Sequence, residues 1–142
     1  GFKNGLWSYF YKDSTPYKEG SFLNDLKVGK WKTWYEDGTL LMEGEYLNGK
    51  EIGLWQTFWE NGRRKNQSSF VNGKLNGDWE SYTPTGVKSL EGKYKKGQKV
   101  GRWNEFYNNG RLKEQVGYKV KTIKNRNKRD WLFKTENKTI IG

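Results

Sequence analysis

A Gly-x-Trp tripeptide begins at Gly5, Gly29, Gly53, Gly77 and Gly101, placing Trp7, Trp31, Trp55, Trp79 and Trp103 at a constant spacing of 24 residues. No insertion interrupts the series. Self-similarity at a fixed period of this length means a repeat array, in which each unit packs on its neighbours rather than around one central core. Such arrays present long surfaces, which tilts the function toward binding.

Aligning the units shows what each contains. Two aromatics follow the Trp in four of them: Phe10 and Tyr11, Trp34 and Tyr35, Phe58 and Trp59, Phe106 and Tyr107; the fourth unit has Tyr82 and Thr83. A turn residue follows at Gly38, Gly62, Gly86 and Gly110, with Ser14 in the first unit. Glu or Gln recurs at Glu19, Glu43, Gln67, Glu91 and Gln115, and three residues later comes an aromatic: Phe22, Tyr46, Phe70, Tyr94, Tyr118. A second turn falls at Asn48-Gly49, Asn72-Gly73 and Lys96-Gly97.

Each unit therefore reads as strand, turn, strand, turn. Asp-Gly and Asn-Gly between aromatic or β-branched runs are hairpin signals, because both turn residues tolerate positive φ. Asp37-Gly38, Asn61-Gly62 and Asn109-Gly110 are predicted to be turns of this kind. The chain has no Ala and 18 regularly spread Gly, which argues against helices. Period-2 alternation predicts Leu40, Met42, Gly44 and Tyr46 on one strand face, and Trp34 on the face opposite Trp31, Thr33 and Tyr35. Aromatics on both faces fit an all-β, single-layer sheet of stacked hairpins better than a sandwich. Gly20, Gly44 and Gly92 sit inside second strands, where glycine weakens pairing. The Trp of the first strand is expected to cover that bare backbone.

The pattern Gly-x-Trp-x-x-aromatic-aromatic-x-Asn-Gly-x-Leu-x-x-Glu-Gly-x-Tyr-x-Asn-Gly resembles the MORN repeat, in its bacterial variant found in proteins labelled YwqK-type antitoxins. The resemblance covers about residues 1–118. It implies an elongated, twisted antiparallel sheet and a role in protein interaction or membrane apposition. The label further implies that some members neutralise a partner toxin. Ser68 and Val116 stand where the pattern has Gly, so packing is expected to differ there.

Both ends leave the pattern. Gly1 precedes Gly5 as Gly49 precedes Gly53, so the sequence is expected to start in the closing turn of a preceding unit. At the other end a sixth Gly-x-Trp is due at position 125, where Asn125-Arg126-Asn127 stand. Residues 119–142 are predicted to be a basic cap or tail, with Trp131 and Phe133 forming a closing hairpin with Thr139-Ile140-Ile141 around Thr135–Lys138. This segment holds eight Lys or Arg and two acids, so it carries +6 of the chain's +11. No Cys is present, no signal peptide or transmembrane run is visible, and the compartment, cytoplasm or cell envelope, is left open.

The charge points to an acidic protein partner, or to an anionic lipid surface contacted peripherally. Lysine on strands and turns also blocks edge-to-edge aggregation. Nucleic acid is disfavoured, because the aromatics that would stack bases recur with the fold's own period. With no His and no Cys the commonest general base, the thiol nucleophile and most transition-metal sites are missing. The carboxylates repeat in register, as structural groups do, and the glycines are turn residues without a following helix. A non-enzymatic scaffold with no cofactor and no metal is expected. Ten strands at about 4.8 Å make a sheet on the order of 50 Å long, enough for a standard interface. The candidate contacts are Trp34, Trp59, Arg63, Arg64, Lys95, Lys96, Lys128, Arg129 and Trp131, since aromatic and basic residues dominate binding hot spots. An immunity or antitoxin protein and a peripheral membrane module are the alternatives.

Overall fold

The computed structural model describes residues 1–119 and, beyond them, the backbone of residues 123–124, 131–132 and 135–139. Ten strands follow one another as five hairpins. They are β1 (Gly5–Phe10), β2 (Pro16–Leu23), β3 (Leu26–Trp34), β4 (Leu40–Leu47), β5 (Lys50–Phe58), β6 (Arg64–Val71), β7 (Lys74–Tyr82), β8 (Lys88–Lys95), β9 (Gln98–Phe106) and β10 (Leu112–Lys119). Three short strands come after: β11 (Ile123–Lys124), β12 (Trp131–Leu132) and β13 (Thr135–Thr139). Each of the first ten pairs antiparallel with the next, and β13 joins the far side of β10 to make one open sheet of eleven. β11 and β12 pair with each other. The stretch from Thr135 to Lys138, expected as a turn, is itself strand. Phe133, Ile140 and Ile141 lie outside the described residues.

Two kinds of turn alternate. Asn24-Asp25, Asn48-Gly49, Asn72-Gly73 and Lys96-Gly97 all have positive φ at both residues, the geometry of a two-residue type I′ loop that matches strand twist. The first of these was missed from sequence, because Asp25 replaces the glycine. The other turns correct an expectation. Asp37, Asn61 and Asn109 do not take positive φ; the following glycine alone does. Tyr35 N–H donates to Thr39 C=O and Gly38 N–H donates back to Tyr35 C=O, which is a type I turn closed by a left-handed residue. The acidic or amide side chain serves differently: Asp37 Oδ1 accepts the Thr39 N–H at 2.8 Å, and Asn61 and Asn109 repeat the bond to Arg63 and Arg111. These bonds favour the ionised form of Asp37 and hold its carboxyl below the usual range. Ser14 adopts φ +72°, standing in for the glycine.

Register explains the two faces. Trp31 lies opposite Gly44, and Thr33 opposite Met42, but Trp34 pairs with Leu40, skipping Leu41. The bulge moves Leu40 to Trp34's side of the sheet, contrary to simple alternation. On the other flank of β3 the pairing jumps at Gly20, where Gly29 takes φ +70° and its strand bows outward. That bow lets Trp31 swing back over β2. A Cβ placed on Gly20 would lie 2.0 Å from the Trp31 ring, and the same holds for Gly44 under Trp55 and Gly92 under Trp103. The expected covering of strand glycine is present, but each Trp covers the glycine of the preceding unit. It is therefore a joint between repeats.

The joints build the protein's core. Trp31, Trp55 and Trp103 are 5%, 6% and 3% exposed. They alternate edge-to-face with the second-strand aromatics: Trp7, Phe22, Trp31, Tyr46, Trp55 and Phe70 form an unbroken run with centroids 4.9–6.1 Å apart. Ser68 interrupts it. Its side chain occupies the place that glycine leaves open elsewhere, and it is buried. Trp79, the ring that would lie there, is only half-buried and instead tilts against Trp103 at 5.6 Å.

Candidate binding surface

The aromatic ladder occupies one face of the sheet, and its polar atoms are largely committed. Trp31 Nε1 donates to Ser21 C=O and Trp103 Nε1 to Lys93 C=O, both at 3.1 Å. Lys3, Lys27 and Lys99, at equivalent positions, hold their ammonium groups 4.7–5.5 Å from ladder rings. Burial is the main cause that lowers the Lys27 pKa, with the positive charge of Lys18 second. Burial likewise raises the Tyr46 phenol.

The opposite face carries a row of polar side chains that crosses every strand. Ser8, Glu19, Lys32, Glu43, Gln56, Gln67, Glu80, Glu91, Asn104 and Gln115 are successive cross-strand partners. Amides knit part of it: Gln56 Nε2 donates to Gln67 Oε1 at 3.2 Å and Gln115 Nε2 to Asn104 Oδ1 at 2.8 Å. Glu80 and Glu91 face each other, a pairing that ordinarily destabilises a sheet. Each has its own partner. Tyr82 Oη donates to Glu80 Oε2, while Lys88 Nζ and Asn104 Nδ2 donate to Glu91 at 3.0 and 3.3 Å. The Lys88 bond lowers the Glu91 pKa most, and the Glu80 bond raises that of Tyr82. These carboxylates are occupied as structural groups. Among the described residues no three His, Cys, Asp or Glu side chains are grouped to hold a metal.

The candidate contacts predicted from sequence fall at two opposite margins. Trp34, Trp59, Arg63 and Arg64 sit where the longer turns are. There, Tyr11 Oη donates to Trp34 C=O at 2.6 Å, Tyr35 Oη to Phe58 C=O at 2.7 Å, and Trp59 Nε1 to Tyr82 C=O at 3.0 Å. These bonds stitch the first four units to one another in turn, and burial is the chief cause raising the Tyr11 and Tyr35 phenols. Trp59 is half-buried with the Lys65 ammonium 4.6 Å from its ring. Arg63 donates to Thr85 C=O, and Asn61 Nδ2 to Pro84 C=O at 2.8 Å. Arg64 is exposed and lies opposite Phe58.

Lys95 and Lys96 lie at the type I′ margin, a strand length away, roughly 25 Å. Both are exposed. Lys96 takes φ +50°, a conformation that Asn24, Asn48 and Asn72 fill in the other units and that costs an ordinary side chain about 1 kcal/mol. Lys128 and Arg129 lie outside the described residues, and of Trp131 only the backbone is described. Sequence reasoning missed the apolar neighbours of Lys95. Leu23, Leu26, Leu47 and Val71 are exposed along the same margin, and Leu6 and Leu54 are exposed further into β1 and β5. Reading every twenty-fourth position through the units would have found them.

The fold and this surface define an open, single-layer, all-β hairpin-repeat protein. The sequence model of the MORN repeat variant matches residues 27–48 and 99–119, which are equivalent segments of the second and fifth units. These two segments are thus repeats of the MORN variant type, and repeats of this family are generally associated with protein or membrane binding. No curated protein matches the chain. Among solved structures it is similar to one titled "Crystal Structure of TarM", at 14% identity and a TM-score of 0.40, over 76% of this chain. The chain spans 19% of that structure's length, and at this TM-score the likeness carries no argument. Among the described residues no helix is long and apolar enough to cross a membrane, which says nothing of β-barrels.

Proposed function

We propose that this chain is a non-catalytic scaffold that binds another protein. The observation that carries the reading is the set of large apolar and cationic side chains that the type I′ margin leaves in solvent, Leu23, Leu47, Val71 and Lys95 among them. Exposed apolar groups gathered on one surface are a mark of interaction sites. An acidic partner fits the net charge of +11, which also speeds encounter. The YwqK-type antitoxin reading is the special case in which that partner is a toxin, and its support is the resemblance alone. The segment 119–142, with β13 on the edge of β10, serves as a cap.

Immobilised chain, offered native cell extract near physiological salt, should retain one stoichiometric protein that survives higher salt. A copy lacking residues 119–142 shows whether the basic segment takes part. Retention of only anionic vesicles, released as salt rises, would replace this reading with the peripheral membrane one.

A further inference from the structure

A cleft of about 280 Å³ opens on the ladder face over β2, β3 and β4. Trp31, Leu41, Met42 and Trp55 give it an apolar lining, Lys18 and Lys27 line it as well, and no acid does. Two niches on the opposite face differ in this respect. Beside Gly44, Lys30 accompanies Glu43 and Glu45, and beside Gly92, Lys93 and Arg102 accompany Asp78 and Glu91. Those niches mix both signs of charge, whereas the cleft holds one.

Both lysines are half-buried. Register places Lys18 opposite Thr33 and Lys27 opposite Phe22. Their ammonium groups rest on rings, Lys18 at 4.8 Å from Tyr9 and Lys27 at 4.9 Å from Trp31. Among the described residues neither makes an ion pair or a hydrogen bond. The two cations disfavour each other: after burial, the charge of Lys18 is the next cause that lowers the Lys27 pKa, and Glu51 opposes them as the smallest of the three. Folding does not require this pair. At successive steps of 24 residues the same two places hold Met42 and Glu51, then Asn66 and Leu75, then Leu90 and Lys99. Of these pairs only Lys18 and Lys27 put a base at both places.

A cationic rim over an apolar floor selects an apolar group that carries a negative charge. Size narrows the choice. Small-molecule sites usually span about 300–1,000 Å³, so this cleft holds about one large side chain rather than a lipid or a longer segment. An apolar residue has a carboxylate of its own only where it ends its chain. We infer that the cleft captures the C-terminal residue of a partner protein, a large apolar one, with its side chain over Met42 and Trp55 and its α-carboxylate at Lys18 and Lys27. Capture of a terminal carboxylate is a recurrent mode of peptide recognition. The inference rests on the protein-binding reading and adds to it a second contact, away from the type I′ margin, with the chemistry of its occupant.

The test uses the full chain and two variants, Lys18→Met and Lys27→Leu. Each copies the residue that another unit carries at that place, and each should melt like the parent. The probes are a labelled Gly-Ser peptide ending in phenylalanine with a free carboxylate, the same peptide amidated, the same peptide ending in glycine, and 3-phenylpropionate. The cleft predicts that the free phenylalanine peptide binds about tenfold more tightly than the amide and than the glycine peptide, the worth of one charge-assisted hydrogen bond or one buried ring. Each lysine variant should lose most of the preference for the free carboxylate while keeping the preference for phenylalanine over glycine. Equal binding of acid and amide, no binding of any peptide, or 3-phenylpropionate bound as tightly as the peptide would overturn the inference. A protein captured from extract that binds both variants as well as the parent would also overturn it, while leaving the scaffold reading intact.

Discussion

Replacing Gly44 by Ala separates two physical arguments that predict opposite signs. By backbone propensity alone, Ala in place of a strand glycine stabilises by about 0.5–1 kcal/mol. The structure predicts the reverse. The new Cβ would stand 2.0, 2.2 and 2.4 Å from three atoms of the Trp55 ring. Carbon atoms rest about 3.5–4.0 Å apart, so the indole must retreat by roughly 1.5 Å or leave. Trp55 is 6% exposed and meets Tyr46 and Phe70 edge-on at 4.9 and 6.0 Å. Losing both ring contacts costs about 1–2 kcal/mol. Returning roughly half of a Trp side chain to water costs about 2 kcal/mol more. Against a propensity gain below 1 kcal/mol, the net is a loss of about 3 kcal/mol. Urea unfolding followed by near-ultraviolet circular dichroism reads it, with Lys32→Ala as the exposed control, expected within about 0.5 kcal/mol of the parent. A Gly44→Ala protein as stable as that control, or more stable than the parent, would refute the claim that Trp–glycine insertion joins the units.

Four further outcomes follow from the same geometry. Ser68→Gly should let Trp79 settle over β6 and stabilise by about 1 kcal/mol, a change read as reduced acrylamide quenching of its fluorescence. Tyr35→Phe removes the hydroxyl that reaches Phe58 C=O and should cost about 1 kcal/mol in urea unfolding, without change at the type I′ margin. Lys96→Asn relieves a left-handed lysine and should stabilise by about 0.5–1 kcal/mol, provided its N–H still meets Asn76 Oδ1. The Glu91 pKa is depressed in the folded chain, so its contribution is present above its usual value near 4.5 and is lost as pH falls through the folded value. Glu91→Gln should therefore flatten the stability profile below about pH 4.5, and an unchanged slope would remove the Lys88–Glu91 pair from the account.

Much of this architecture is legible in the sequence, because a repeat writes the same instruction five times. The 24-residue period fixes the hairpins, but Asn-Gly does not by itself choose the turn: Asn48-Gly49 and Asn72-Gly73 are type I′, whereas Asn61-Gly62 and Asn109-Gly110 are not. What periodicity conceals is direction. A Trp and a strand glycine repeating together do not say whether they meet within a unit or across its boundary. The positive φ of Gly29 and its equivalents, which bow the strand, decides for the boundary. Asp37-Gly38 looked like a type I′ pair, but the flanking Tyr35 and Thr39 close a longer loop through their backbones. Trp59 Nε1 and Arg63 each donate a bond to the next unit, which composition alone does not display. Ser68 was correctly marked as a place where packing must change.

The account's central claim is that the 24-residue unit, joined to the next by Trp over glycine, is the structural quantum of this protein. Excising residues 53–76 tests it most directly. The cut removes Trp55 together with Ser68 and brings Gly77 into the place of Gly53, so that Trp79 meets Gly44. The account predicts a folded chain in which Trp79 is as shielded from acrylamide as the buried indoles of the parent, whereas excising only residues 53–64 removes one strand and destroys the fold. A collapsed 24-residue deletion, a Trp79 that stays accessible within it, or a 12-residue deletion that folds equally well would contradict the claim.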